Sequence, residues 1–385
     1  MKTARIECLD GLRGLAAIWV LLGHAAILSG WKLPILHSPS LAVDLFMMLS
    51  GFLMTFHYQE RQTREPWQAP STWGTFWTRR FFRIAPLYYV LLLAAILLGP
   101  TLGAARDSIA SAISGTGTID ERYTDQSWQN VAMHVTFAFG FSPYYGFRTA
   151  LPDWSIGLEM AFYAAFPFLM MAVARLGFIA TAVGASLFCY LLSLACSGYF
   201  EAFSEPSLLA MKLPIFLGGM LVAASLTTHG YRRLLLLGIA AVICLIPIRG
   251  VASHGIAPLI RLLSLASLAI LADCHRMPRI AALHRIIPVV STILGGRIAA
   301  FLGDTSYGVY LLHLLVMLPV LQAVINILPQ ASAPILFLTT VAIVIPIVYL
   351  ISWILHIWIE RPGIQLGRRI LAMVRTKVRT ESEFA

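Results

Sequence analysis

Long apolar runs alternate with short polar stretches along the whole chain. The runs fall at 12–29, 41–58, 86–101, 154–174, 178–197, 208–226, 234–248, 257–272, 307–328 and 334–357. Most approach the roughly 20 residues that cross a bilayer as a helix. In hydrocarbon every backbone polar group must be satisfied within its own segment, and helices do this. The pattern therefore predicts an all-α, polytopic membrane helical bundle of about ten transmembrane helices. Between the second and third runs, 59–83 is polar and basic, with Arg61, Arg64, Arg79, Arg80 and Arg83, as a cytoplasmic loop would be. Pro86 opens the third run in this reading, because a proline at a helix start gives up an N–H that was unpaired anyway.

The segment 131–145 is apolar but short, and Gly140 and Pro143 break it. Were it a full crossing, the acidic stretch 201–205 would turn inward and the basic stretch 276–297 outward. A short re-entrant or non-spanning element keeps lysine and arginine inside throughout and leaves both termini cytoplasmic. The tail from about 360 to 385 carries Arg361, Arg368, Arg369, Arg375, Lys377 and Arg379. It is a basic, partly amphipathic helix, either lying on the anionic inner leaflet or serving only as a topology anchor. Lys2 and Arg5 before an apolar run mimic a secretory leader, but Glu7, Asp10, Arg13 and His24 interrupt it, so a retained first helix is expected. No internal repeat is evident and no extramembrane run is long enough for a second domain, so 1–385 reads as one domain.

Composition agrees. The 385 residues are 58% hydrophobic and only 12% charged, about half the charged share of a soluble domain. The net charge of +10 sits in short clusters between apolar runs, which follows positive-inside topology and argues against nucleic acid. The five cysteines show neither CxxC nor metal-ligand spacing, so no metal site and no disulfide framework is expected.

Ionisable residues inside apolar runs are costly and therefore point to function. Arg13 and His24 lie eleven positions apart in the first run. On a helix they share a face and stand about 16 Å apart along the axis. Arg13 is then at the inner edge and His24 past mid-depth, either as a functional imidazole or as a packing histidine. Asp44 opens the second run at the same outward level, where it could orient His24 or cap its own helix. Glu159, a turn into its run and with Tyr163 one turn on, could orient an acceptor, act as a second base, or pair with an arginine such as Arg148. Asp304, Tyr307, Tyr310 and His313 recur every third residue and form a polar seam facing the bundle. Interhelical hydrogen bonds alone would account for the two tyrosines. Arg79, Arg80 and Arg83 lie at the level of Arg13 and suit a polyanion, since guanidinium forks bind phosphate.

Together these stretches resemble the membrane acyltransferase-3 family of bacterial glycan O-acyltransferases. The carriers are Asp10–Gly11–Leu12–Arg13–Gly14 with His24 after a ten-residue gap, Val43–Asp44–Leu45–Phe46 with Leu49–Ser50–Gly51–Phe52, and Arg80–Phe81–Phe82–Arg83–Ile84–Ala85–Pro86. Further on come Trp154–Ser155 through Glu159, Asp304–Thr305–Ser306–Tyr307 through His313, and Glu360–Arg361–Pro362. A second phenylalanine, common in the family after Phe46, is absent. So is the esterase-like C-terminal domain of some members, which suggests the stand-alone form.

The resemblance implies an inner-membrane enzyme that moves an acyl group, acetyl first, from cytoplasmic acyl-CoA to a hydroxyl of a carbohydrate or glycolipid. Arg13, Arg80 and Arg83 would then hold the CoA phosphates. His24 would act as general base or as transient acyl carrier, with Asp44 orienting it. Glu159, Trp154, Asp304, Tyr307 and His313 would serve the acceptor side. A secondary transporter, with the buried His, Asp and Glu as a proton relay, is the rival. Neither the acyl group, the acceptor nor the oligomeric state is fixed by sequence.

Overall fold

The computed structural model describes residues 7–251, 255–273 and 283–383, and among them the secondary structure is entirely helical. In chain order the helices are α1 (Glu7–Leu28), α2 (Pro39–Arg61), α3 (Pro70–Ala112), α4 (Glu121–Thr124), α5 (Trp128–Val135), α6 (Trp154–Ala195) and α7 (Ser197–Glu201). They continue as α8 (Leu209–Ser225), α9 (Gly230–Cys244), α10 (Ala257–Ala272), α11 (Leu283–Leu294), α12 (Arg297–Ile327), α13 (Ala333–Leu355) and α14 (Arg361–Glu383). Six stretches among the described residues are long and apolar enough to cross a membrane: Cys8–Leu28, α2, α3, α6, α12 and Ala333–Val374. Two shorter helices, α8 and α10, are also apolar. Residues 131–147 hold the end of α5 and a single 3-10 turn at Ala138–Phe141, neither of span length.

The third run differs from its sequence expectation. Helix α3 begins at Pro70, so the basic stretch 70–83 is helical and Pro86 and Pro100 lie inside the helix. An internal proline removes one backbone hydrogen bond. Here the loss falls where α14 packs against α3, with Gly363 on Pro86. In α6, Gly177 has φ 82° and ψ 165°, a conformation open to glycine, and it divides the 42-residue run in two.

Helix α1 lies along α12, and α2 along α8. Both pairs come close because glycines face backbone. A methyl group on Gly51 would overlap the Phe216 carbonyl, and one on Gly219 would overlap that of Met48. Similarly, Gly14 faces Leu302 and Gly303 faces Asp10. Small residues at helix crossings let van der Waals packing hold membrane helices together, where no hydrophobic force separates helix from lipid. Gly14 of the Asp10–Gly14 motif is thus part of the seat of α12, the helix that brings in the second histidine, while Gly11 faces Leu294 at the end of α11.

Candidate active site

His24 sits in the C-terminal half of α1 and is half-buried, while His313 on α12 is fully buried. The two rings are 4.9 Å apart between centroids, and His313 Nε2 lies 3.1 Å from His24 Nδ1. Backbone carbonyls fix the tautomers. His313 Nδ1 is 2.6 Å from Tyr310 O, and a carbonyl only accepts, so that nitrogen carries the proton and Nε2 the lone pair. His24 Nδ1 is 3.0 Å from Val20 O and likewise carries its proton, which is shared with His313 Nε2. His24 Nε2 is left with its lone pair and with no hydrogen-bond partner among the described residues. This is the nitrogen that chemistry would use.

Tyr310, one turn below His313, donates to Pro152 O at 2.6 Å and accepts from Ser155 Oγ at 2.7 Å. These bonds fix the start of α6 against α12, with Trp154 buried beside them. Tyr307 donates to Ile84 O at 3.0 Å. It lies within electrostatic reach of Glu159, Glu360 and Arg83, so this part of the polar seam belongs to the arginine end of the molecule. Asp304 adjoins Gly303, which packs on Asp10, and it sits at the same inner end. The seam therefore runs from the arginines to the histidine pair, and the structure does not gather its members at one point.

Asp44 does not pair with His24. Its Oδ1 is 2.5 Å from Lys212 Nζ of α8 and its Oδ2 is 2.8 Å from Arg261 Nε of α10. All three side chains are at most 2% exposed. A buried carboxylate takes the strongest counter-charges in reach, and two cations outcompete a neutral imidazole. Lys212 and Arg261 are lone cations inside apolar runs, and that is the sequence signal that marks them as Asp44's partners.

Glu159 lies in the second turn of α6. Glu159 Oε1 accepts from Ser50 Oγ at 2.7 Å and from the Tyr163 hydroxyl. Arg148, named among the alternatives as an arginine that could pair with Glu159, instead approaches Asp125 at 3.8 Å and stacks on Tyr144. Glu159 is within electrostatic reach of Arg13 and Arg80, and Arg83 is within reach of both arginines. Among the described residues Arg13, Arg80 and Arg83 make neither a salt bridge nor a hydrogen bond, and the Arg80 guanidinium rests over Phe76 and Tyr163. Arg79, by contrast, is held by both oxygens of Glu65 at 2.7 Å. Asp10 and Glu360 also lie within electrostatic reach of Arg13, yet none of these carboxylates pairs directly with the three guanidiniums, whose N–H groups are suited to phosphate.

Comparison with known proteins gives relatives of the same kind. Acyltransferase MdmB of Streptomyces mycarofaciens is 28% identical over 201 residues, 49% of this chain and 46% of its own length. The putative membrane-bound transacylase BcsY of Komagataeibacter xylinus is 34% identical over 158 residues, 40% of this chain and 35% of its own. Peptidoglycan O-acetyltransferase OatA of Listeria monocytogenes is 25% identical over 175 residues, 44% of this chain and 25% of its own. The chain thus spans less than half the length of each of these relatives. No solved structure matches it. The acyltransferase-domain model matches residues 6–357, nearly the whole chain, and the protein belongs to the acyltransferase-3 family.

Proposed function

We propose that this protein is a multi-pass inner-membrane O-acyltransferase. It moves an acyl group, acetyl first, from cytoplasmic acyl-CoA to a carbohydrate or glycolipid hydroxyl on the outer side. What carries this reading is the separation of two chemistries along α1. Arginines that pair directly with no carboxylate among the described residues stand at the inner end, and an imidazole with a bare Nε2 stands about 16 Å further out, the reach of an extended pantetheine arm. Gly177 divides α6 into two runs, which supports a path of about ten crossings with both termini cytoplasmic.

In this mechanism Arg13, Arg80 and Arg83 hold the donor phosphates. The acceptor hydroxyl lies against His24 Nε2. As its oxygen attacks the thioester carbonyl, Nε2 takes the hydroxyl proton. The carbon–sulfur bond breaks, the thiolate leaves, and the imidazolium returns the proton to sulfur. His313 Nε2 and Val20 O hold the Nδ1–H through the cycle, so the new positive charge on His24 meets an acceptor already in place. If His24 instead carries the acyl group, Nε2 attacks the thioester carbonyl, the carbon–sulfur bond breaks and the thiolate leaves. The acceptor hydroxyl then takes the acyl group as the bond to Nε2 breaks, and the hydroxyl proton passes to the thiolate or the freed imidazole.

The test is transfer from radiolabelled acetyl-CoA by purified protein in detergent, with and without a glycan extract from the host, and His24→Ala in parallel. Glycan labelling that requires His24 supports the base. Label retained on the protein at His24 supports the carrier. Absence of CoA release under every condition overturns the enzyme reading and favours transport.

A further inference from the structure

A second cationic pocket lies one turn further towards the cytoplasm, between the end of α2 and the start of α3. It is a cavity of 40 Å³ lined by His57, Arg61, Trp67, Phe76, Arg79 and Arg80 among others. On that measure a water needs about 10–15 Å³, so the space takes about three waters, near the size of one phosphoryl group and far too small for a purine. Its polar wall is unfinished. Trp67 is 3% exposed, yet its indole N–H is buried without a hydrogen-bond partner. His57 Nδ1 is buried without a hydrogen bond, its nearest charge being Glu60 Oε2 at 3.6 Å. Arg61 makes no ion pair among the described residues, whereas the neighbouring Glu65 is occupied by Arg79. Glu65, the acidic group on the pocket wall, is thus engaged by Arg79, and Glu60 approaches the pocket only through His57.

A buried orphan N–H costs on the order of 1–3 kcal/mol and calls for an acceptor. Between an orphan indole, an imidazole and two guanidiniums, the acceptor is anionic and small. Arg80 belongs to both sites: it lines this cavity, and Arg83 of the first cluster lies within its electrostatic reach. Acyl-CoA carries phosphate in two places, the diphosphate and the ribose phosphate, separated by one sugar. Two cation sites joined through one arginine match that layout.

Resting on the acyl-CoA reading above, we infer that the pocket formed by His57, Arg61, Trp67 and Arg80 binds the ribose phosphate of CoA. The enzyme thereby selects CoA over donors that lack this phosphate.

The experiment measures KM for acetyl-CoA and for acetyl-dephospho-CoA with the full chain in detergent, for wild type, Arg61→Gln and Trp67→Phe. The wild-type KM should rise about tenfold or more when the ribose phosphate is missing, the size of a charge-assisted hydrogen bond. In Arg61→Gln the ratio of the two KM values should fall towards one, and in Trp67→Phe it should fall part of the way. Equal KM values in wild type, or an unchanged ratio in Arg61→Gln, overturn the assignment. Binding of adenosine bisphosphate against adenosine monophosphate, followed by thermal shift on the same preparations, tests the pocket without turnover. Wild type should favour the bisphosphate and Arg61→Gln should not. If the bisphosphate is favoured while no acyl-CoA is consumed, the donor reading fails and the phosphate pocket stands. If neither nucleotide is favoured, the pocket assignment fails by itself.

Discussion

His313 Nε2 lies 3.1 Å from His24 Nδ1, and a backbone carbonyl behind each ring sets the direction of the proton between them. In the proposed mechanism His313 is an acceptor locked in place by α12, doing for His24 what a carboxylate does in other base dyads, but without a charge. His313→Leu removes that acceptor. The expected result is a fall in kcat of about ten- to a hundredfold with donor KM unchanged, while His24→Ala loses transfer by about a thousandfold. Steady-state kinetics on detergent-purified protein reads both, and wild-type kcat in His313→Leu would dismiss the positioning role.

Asp44→Asn leaves Lys212 and Arg261 buried with no carboxylate between them. Breaking a buried pair in this way costs about 3–5 kcal/mol. Thermal unfolding in detergent should register the loss, and Asp44→Asn combined with Lys212→Met should recover part of it. Normal stability with reduced kcat would instead return Asp44 to the chemistry.

Arg83→Gln removes one of three guanidiniums without leaving a buried carboxylate unpaired. Donor KM should rise about tenfold and acceptor KM should stay as it was. A rise in both KM values would mean that Arg83 supports the fold around the site and does not read the donor.

Gly219→Ala places a methyl group against the Met48 carbonyl and pushes α8 off α2. Overpacking of this kind costs about 1–3 kcal/mol. The same change at Gly238, where a methyl group meets open space, should be tolerated, and comparing their melting temperatures checks the crossing.

Periodicity and charge placement made the helical, membrane-embedded character legible, and the motif order made the family legible. What they could not carry was pairing across distance. His24 and His313 are 289 positions apart, and only the seat of Gly14 and Gly303 puts them together. Depth along the runs pairs Asp44 with His24, whereas its partners stand on helices far downstream. Glu159 offers a base, an acceptor contact or an arginine partner by sequence, whereas its hydrogen bonds are to Ser50 and Tyr163, and Ser50 lies 109 positions upstream. The inner arginines were easier, since positive-inside topology fixes their side from sequence alone.

The ion triad also bears on how the protein is made. A chain is synthesised from its N-terminus, so α2 enters the bilayer before its partners exist. Lys212 follows Asp44 by 168 residues and Arg261 by 217. Through most of translation Asp44 is therefore an acid in an apolar helix of membrane-spanning length without its two cationic partners, a costly state in hydrocarbon. The frame around α2, α8 and α10 closes only after the ribosome has passed Arg261. A nascent chain stopped before that point should remain open to membrane quality control, and release from it would mark the moment the triad forms.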